Sequence, residues 1–197
     1  MLRSAGQKTL THLFPGIRAF ASPSQQPRSA LSQRIARTHP KAQLIFAAED
    51  GPALEALVDS LGKGEGHEMD ATKGEQVQSV LEGALLKYGR LDAVASMVGN
   101  VMMKPSTGSP SSGEVPQSSI TSISDLEAAL RINLHTSFNV VQYSAQAMQK
   151  NGGGSIVLTS AAVAESGVPH FEAMSAAKAG VEGMARSFAA SFVRQGV

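Results

Sequence analysis

Short apolar runs alternate with stretches of helical periodicity along this chain, and that alternation restricts the fold more than any other feature. AQLIFAA (42–48), LDAVASMVG (91–99) and SIVLTS (155–160) are apolar and short enough for buried strands, and 67–70 is a weaker fourth. Between them apolar residues recur at helical spacing. Leu54, Leu57, Val58 and Leu61 do so over 52–61, and Val77, Val80, Leu81, Ala84, Leu85 and Tyr88 over 73–88, where Gly89 is a stop signal. SALSQRIAR (29–37) is a short helical stretch with Leu31 and Ile35 four apart. Ser124-Asp125-Leu126-Glu127 fits a capping box that opens a helix to about Lys150, ended by three glycines. A last helix is predicted over 171–193, and the Pro-, Ser- and Gly-rich residues 104–123 read as a long surface loop. Buried strands alternating with amphipathic helices call for an α/β fold, a parallel sheet with helices on both faces.

Charge divides the chain in two. Seven of its 17 Lys and Arg lie in residues 1–48, which hold no Asp or Glu; residues 49–197 hold the other ten against all 16 acidic residues, a formal −6. An acidic body argues against nucleic acid as a partner, and no apolar run reaches the ~18–20 residues of a membrane span. Without Cys there is no disulfide, thiolate nucleophile or Cys-ligated zinc, and no metal site is expected. Residues 1–22 combine Arg, Lys, Ser and Thr with Leu2, Leu10, Leu13 and Phe14, the composition of an organelle presequence. Arg18-Ala19-Phe20 before Ala21-Ser22 is similar to a mitochondrial processing site. Mitochondrial localisation is therefore expected, with plastid or cytoplasm as alternatives, and a basic tail or an incorrect gene start as other readings of the segment.

Three stretches together resemble the short-chain dehydrogenase/reductase family. LDAVASMVGN sits where that family carries its fourth strand and an Asn-Asn-Ala-Gly motif. RINLHTSFNVV looks like its central helix with an active-site Asn. GGGSIVLTSAAVA followed by AMSAAKAGVEGMARSFAASF looks like its fifth strand and Tyr-x-x-x-Lys helix. The similarity covers roughly residues 29–197. It implies a Rossmann-type fold, NAD or NADP as cofactor, and hydride transfer to or from a carbonyl or alcohol carbon of a small-molecule substrate. In that family a Tyr phenol protonates the developing alkoxide and a Lys lowers the Tyr pKa and holds the cofactor ribose. A Ser hydroxyl donates to the carbonyl oxygen, and an Asn supports a water relay to the Lys.

Carried over residue by residue, Lys178 matches the Lys and Asn133 the Asn, while Met174 stands at the Tyr position and Ala161 at the Ser position. A positioned general acid contributes ~10²–10⁴-fold, so those two departures bear directly on turnover. Ser160 precedes the vacated position but points to the opposite side of a strand. His170, Met174 and Lys178 share one helix face if the last helix starts early enough; the plainer reading of His170 is a loop residue beside Pro169. Phe171 sits where some enoyl-reductase relatives place a Tyr, and has no hydroxyl.

For the cofactor, the resemblance assigns Asp70 to the adenine end, Gly99 to the surviving motif glycine and Lys178 to the ribose. The family's G-x-x-x-G-x-G turn falls on Ser22, Gln26 and Arg28, none of them Gly, and a Cβ there restricts approach to a pyrophosphate. Its first strand falls on 17–21, which the presequence reading also claims, and the chain ends before the family's sixth strand. The expectation is thus a presequence-like segment 1–22 and a partial Rossmann domain 29–197, lacking the sixth and seventh strands. Two functions follow: an oxidoreductase, or an inactive relative serving as scaffold or oligomer subunit or arising as a truncated gene product. Helices 125–150 and 171–193 match a dimeric four-helix interface of the family. The small residues Ala176, Ala177, Gly180, Gly183, Ala189 and Ala190 permit close approach of a second copy or of the chain's own elements.

Overall fold

The computed structural model describes residues 18–21, 26–99 and 122–197. Residues 1–17, most of the 104–123 stretch and Ser22 lie outside them. In chain order the elements are β1 Arg18–Ala21, α1 Gln26–Thr38, β2 Leu44–Ala48, α2 Gly51–Leu61, β3 Glu65–Glu68, α3 Gly74–Tyr88, β4 Ala93–Ser96, α4 Ile123–Ala129, α5 Thr136–Gln149, β5 Ser155–Leu158 and α6 Glu172–Phe192. The strands form one parallel sheet of order β3-β2-β1-β4-β5.

β2 is buried along its whole length, as a strand covered on both faces must be. Its side chains alternate between two cores. Ile45 and Ala47 pack with Val77, Leu81 and Ala84 of α3 and Val140 and Met148 of α5. Leu44, Phe46 and Ala48 pack with Leu54 and Leu57 of α2 and Ile35 of α1. Burying a side chain of this size contributes ~1.5–3 kcal/mol, so the two-sided pattern of five residues fixes both layers. Asp50 caps α2 by accepting from Ala53 N at 3.0 Å, and Gly89 ends α3 in the left-handed region at φ 75°, the stop that its position predicts.

One open reading closes and two details depart from the expectations. The segment claimed by two readings is a strand: Arg18–Ala21 pairs with Leu44–Ala47 on one side and Ala93–Ser96 on the other. The capping box is built on Ser122, not Ser124. Ser122 Oγ accepts from Asp125 N at 3.2 Å and the Asp125 carboxylate accepts from Ser122 N at 3.1 Å. Both serines have an acid three residues on, and the earlier pair lengthens the helix. The long helix it opens is not uniform, because Leu130–His135 forms a π turn between α4 and α5.

Phe46 is 2% exposed at the centre of the second core. Phe46→Ala is expected to lower the unfolding free energy by ~3–5 kcal/mol, read by urea denaturation.

Candidate functional site

Open parallel sheets bind ligands in the crevice beyond the carboxyl ends of their strands. Here that crevice is bounded by the residues that follow β4 and β5, by the π turn and by α6. Lys178 lies two turns into α6 and is 2% exposed. Its Nζ donates to Val98 O at 3.3 Å and Thr159 O at 3.0 Å, the carbonyls just past β4 and β5. A buried ammonium is costly unless hydrogen-bonded, and these carbonyls supply that solvation. Thr159 is itself tied to β4, its N and Oγ1 both donating to Ser96 O at 3.1 and 3.0 Å.

Asn133 is fully buried within the π turn. Its Nδ2 donates to Ala129 O at 3.0 Å, and its own carbonyl accepts from Ser137 Oγ at 2.7 Å. A π turn widens the helix by one residue per turn and is common at functional sites; here it presents Asn133 to the same point as Lys178. Gly99 records how tight that point is. A Cβ on it would lie 2.8 Å from Lys178 Nζ and 3.0 Å from Asn133 Oδ1. Lys178, Asn133 and Gly99, three of the residues singled out in the sequence, therefore converge.

Asp70, the fourth, does not join them. It follows β3, three strand spacings of ~4.8 Å from β4. Its carboxylate accepts from Thr72 N at 2.9 Å and Thr72 Oγ1 at 2.6 Å and faces Lys73 Nζ at 3.6 Å. The Thr72 hydrogen bonds, with Lys73, hold its pKa below the usual carboxylate range. Beside it, burial and the Asp70 charge push Glu49 up.

Met174, one turn before Lys178, is buried and carries no titratable proton, and Ala161 is half-buried where the chain leaves β5. The strand ends at Leu158. Ser160 beyond it is engaged with α6, its Oγ donating to Glu182 Oε1 at 2.5 Å. α6 starts at Glu172, so His170 stands outside it, exposed and at φ 68°, and does not share a helix face with Met174 and Lys178. Gln26 and Arg28 of the Gly-rich-turn positions lie in α1. Among the described residues no group of His, Asp and Glu could hold a metal ion, and no helix is long and apolar enough to cross a membrane. The backbone acceptors of Val98 and Thr159 and the π turn leave no side-chain signature in the sequence. Glu182 does leave one, a carboxylate one turn beyond Lys178.

The small residues on α6 divide. Ala177 is buried with Ala129 and Ala173, and a Cβ on Gly180 would meet Leu134 Cδ2 at 3.1 Å, so both serve the chain's own packing. Ala176, Ala189 and Ala190 are exposed.

Comparison with known proteins identifies relatives of the chain. A family model described as enoyl-(acyl carrier protein) reductase matches residues 31–197. The hydroxynaphthalene reductase-like protein Arp2 of Metarhizium acridum is 32% identical over 148 residues, covering 73% of this chain and 50% of that protein. The 3-oxoacyl-(acyl-carrier-protein) reductase FabG of Thermotoga maritima is 30% identical over 165 residues, covering 74% of this chain and 60% of that protein. The chain thus spans about half the length of the first of these relatives. A short chain dehydrogenase from Mycobacterium smegmatis superposes with a TM-score of 0.77 at 18% identity, covering 91% of this chain and 71% of its own. A short-chain type dehydrogenase/reductase from Mycobacterium ulcerans does so with a TM-score of 0.78 at 16% identity, over 91% of this chain and 63% of its own. These two likenesses establish the fold.

Gly99→Ala is expected to cost ~1–3 kcal/mol of stability, the range for overpacking a filled site, because Lys178 Nζ must leave its carbonyls; chemical denaturation measures it. Asp70 has its folded pKa below its unfolded one. Its contribution is therefore present above the unfolded value and lost as pH falls through the folded one. Asp70→Asn should flatten the fall in melting temperature between about pH 5 and pH 2, measured by thermal denaturation across that range.

Proposed function

The chain belongs to the short-chain dehydrogenase/reductase family, and on that premise we propose that it binds NAD or NADP in the crevice at the strand ends as an oxidoreductase acting on a carbonyl or alcohol. The observation that carries this reading is the convergence of Lys178, Asn133 and Gly99. The residues fit a dinucleotide in one respect above all: Gly99 leaves bare backbone beside a buried ammonium, a cradle that a Cβ would fill. Lys178 would hold the ribose hydroxyls, Asn133 would support a water relay to Lys178, and Asp70 would meet the adenine end across the sheet. A bound nicotinamide supplies or accepts the hydride.

A second reading is favoured by Met174 and Ala161, which donate no proton and no hydrogen bond where the family places Tyr and Ser. In it the chain keeps the fold as a scaffold or oligomer subunit. A homo-oligomer formed through 125–150 and 171–193 suits either reading, since Ala176, Ala189 and Ala190 remain exposed and Phe138 is 44% exposed beside Phe188. For the basic head, residues 1–22, the proposal is mitochondrial delivery, supported by Arg, Lys, Ser and Thr without an acidic residue.

Titration of the full chain with NADH and NADPH, followed by fluorescence, separates the two readings. Binding with Kd below about 1 mM supports the oxidoreductase or a cofactor-binding relative. No binding from a folded, stable dimer supports the scaffold.

A further inference from the structure

Lys178 Nζ donates to Thr159 O at 3.0 Å, so what holds that carbonyl bears on the ammonium. β5 ends at Leu158, and among the described residues it is the outermost strand, with β4 on one side and no paired strand on the other. Past Leu158 the ladder contributes one more backbone bond, from Thr159 N to Ser96 O at 3.1 Å. The next residue is fixed differently. Ser160 Oγ donates to Glu182 Oε1 at 2.5 Å, within the range of a hydroxyl-to-carboxylate hydrogen bond, ~2.5–2.7 Å and about twice the strength of a neutral one. Glu182 is one turn beyond Lys178, so the two side chains leave α6 on the same side. Two successive residues after the strand, Thr159 and Ser160, are thus gripped by two residues one turn apart on the helix. The Ser160 grip keeps the segment against α6, and the Thr159 carbonyl with it.

We propose that Glu182 is a positioning residue for Lys178, acting through the Ser160 hydroxyl to fix the Thr159 carbonyl on which the ammonium rests. Its effect on binding rests on the nucleotide-binding reading above, whereas its effect on the ammonium does not. Releasing either partner leaves Thr159 held by its ties to Ser96 alone, and the contact of Lys178 with the Thr159 carbonyl loosens.

The test uses the full chain with two readouts. The first is the Lys178 ammonium signal in protein labelled with ¹⁵N-lysine, assigned by its loss in Lys178→Met. The second is NADH affinity, with melting temperature recorded beside both. Ser160→Ala and Glu182→Ala are each expected to shift or broaden the ammonium signal and to weaken NADH about three- to tenfold, the span of one lost hydrogen bond. Ser160→Thr and Glu182→Gln, which keep a hydroxyl and an acceptor oxygen, should stay near the parent. The double variant should be no worse than either single, as for two halves of one contact. An unchanged ammonium signal in Ser160→Ala overturns the proposal, as does a double variant with the summed loss of both singles. Loss of affinity that only follows the melting temperature overturns it too. Ser160→Ala removes a single oxygen, so the test stands even where Glu182→Ala fails to fold. If the parent chain binds no NADH, the nucleotide reading falls and the ammonium signal alone decides the positioning role.

Discussion

Four residues carry both ladders that make this sheet continuous. Arg18–Ala21 pairs with β2 over Leu44–Ala47 and with β4 over Ala93–Ser96. On one side of it lie the α1–α2 core and the acidic turn after β3; on the other lie β5, α6 and the buried lysine. Parallel pairing aligns the carboxyl ends of all five strands, so this short central strand puts the ends of β4 and β5 beside one another and opens a single crevice above them. The two-sided burial of β2 makes that arrangement rigid, because each of its residues is committed to one helical layer or the other.

Within that frame the site is organised by the solvation of one charge. Lys178 is removed from water and replaces it with two peptide carbonyls contributed by the ends of neighbouring strands. The demand propagates outward. Gly99 must lack a side chain to leave room for the ammonium, and Asn133 must be presented by a π turn to reach the same point. Thr159 must be tied back to Ser96, and Ser160 to Glu182. This assembly is the costly part of the site, because a buried cation must be solvated by fixed protein groups.

Much of the fold was legible because periodicity records burial. The run LIFAA (44–48) is apolar on every residue since both its faces are covered, and the helix of 74–88 shows its buried stripe at Val77, Leu81 and Ala84. The start of the long helix was less legible, since Ser122-x-x-Asp125 and Ser124-x-x-Glu127 obey one spacing rule and only the closed hydrogen bonds distinguish them. The π turn was not legible at all, because Leu130–His135 has the composition of ordinary helix. At the site, Lys178, Asn133 and Gly99 were readable through their resemblance to a family pattern. Their acceptors were not, since any residue type supplies a carbonyl.

By itself the sequence determined an alternating α/β chain, its layers and, through resemblance, its family. All of these follow from residue identity and local spacing. Tertiary structure decided that Arg18–Ala21 is a central strand, that His170 stands outside α6, and that Asp70 is separated from the other three residues by the width of the sheet. It also decided that a buried ammonium, a bare glycine and a carboxamide meet at one point. These depend on contacts between residues far apart in the chain, and local patterning carries no record of which distant carbonyl a lysine will find.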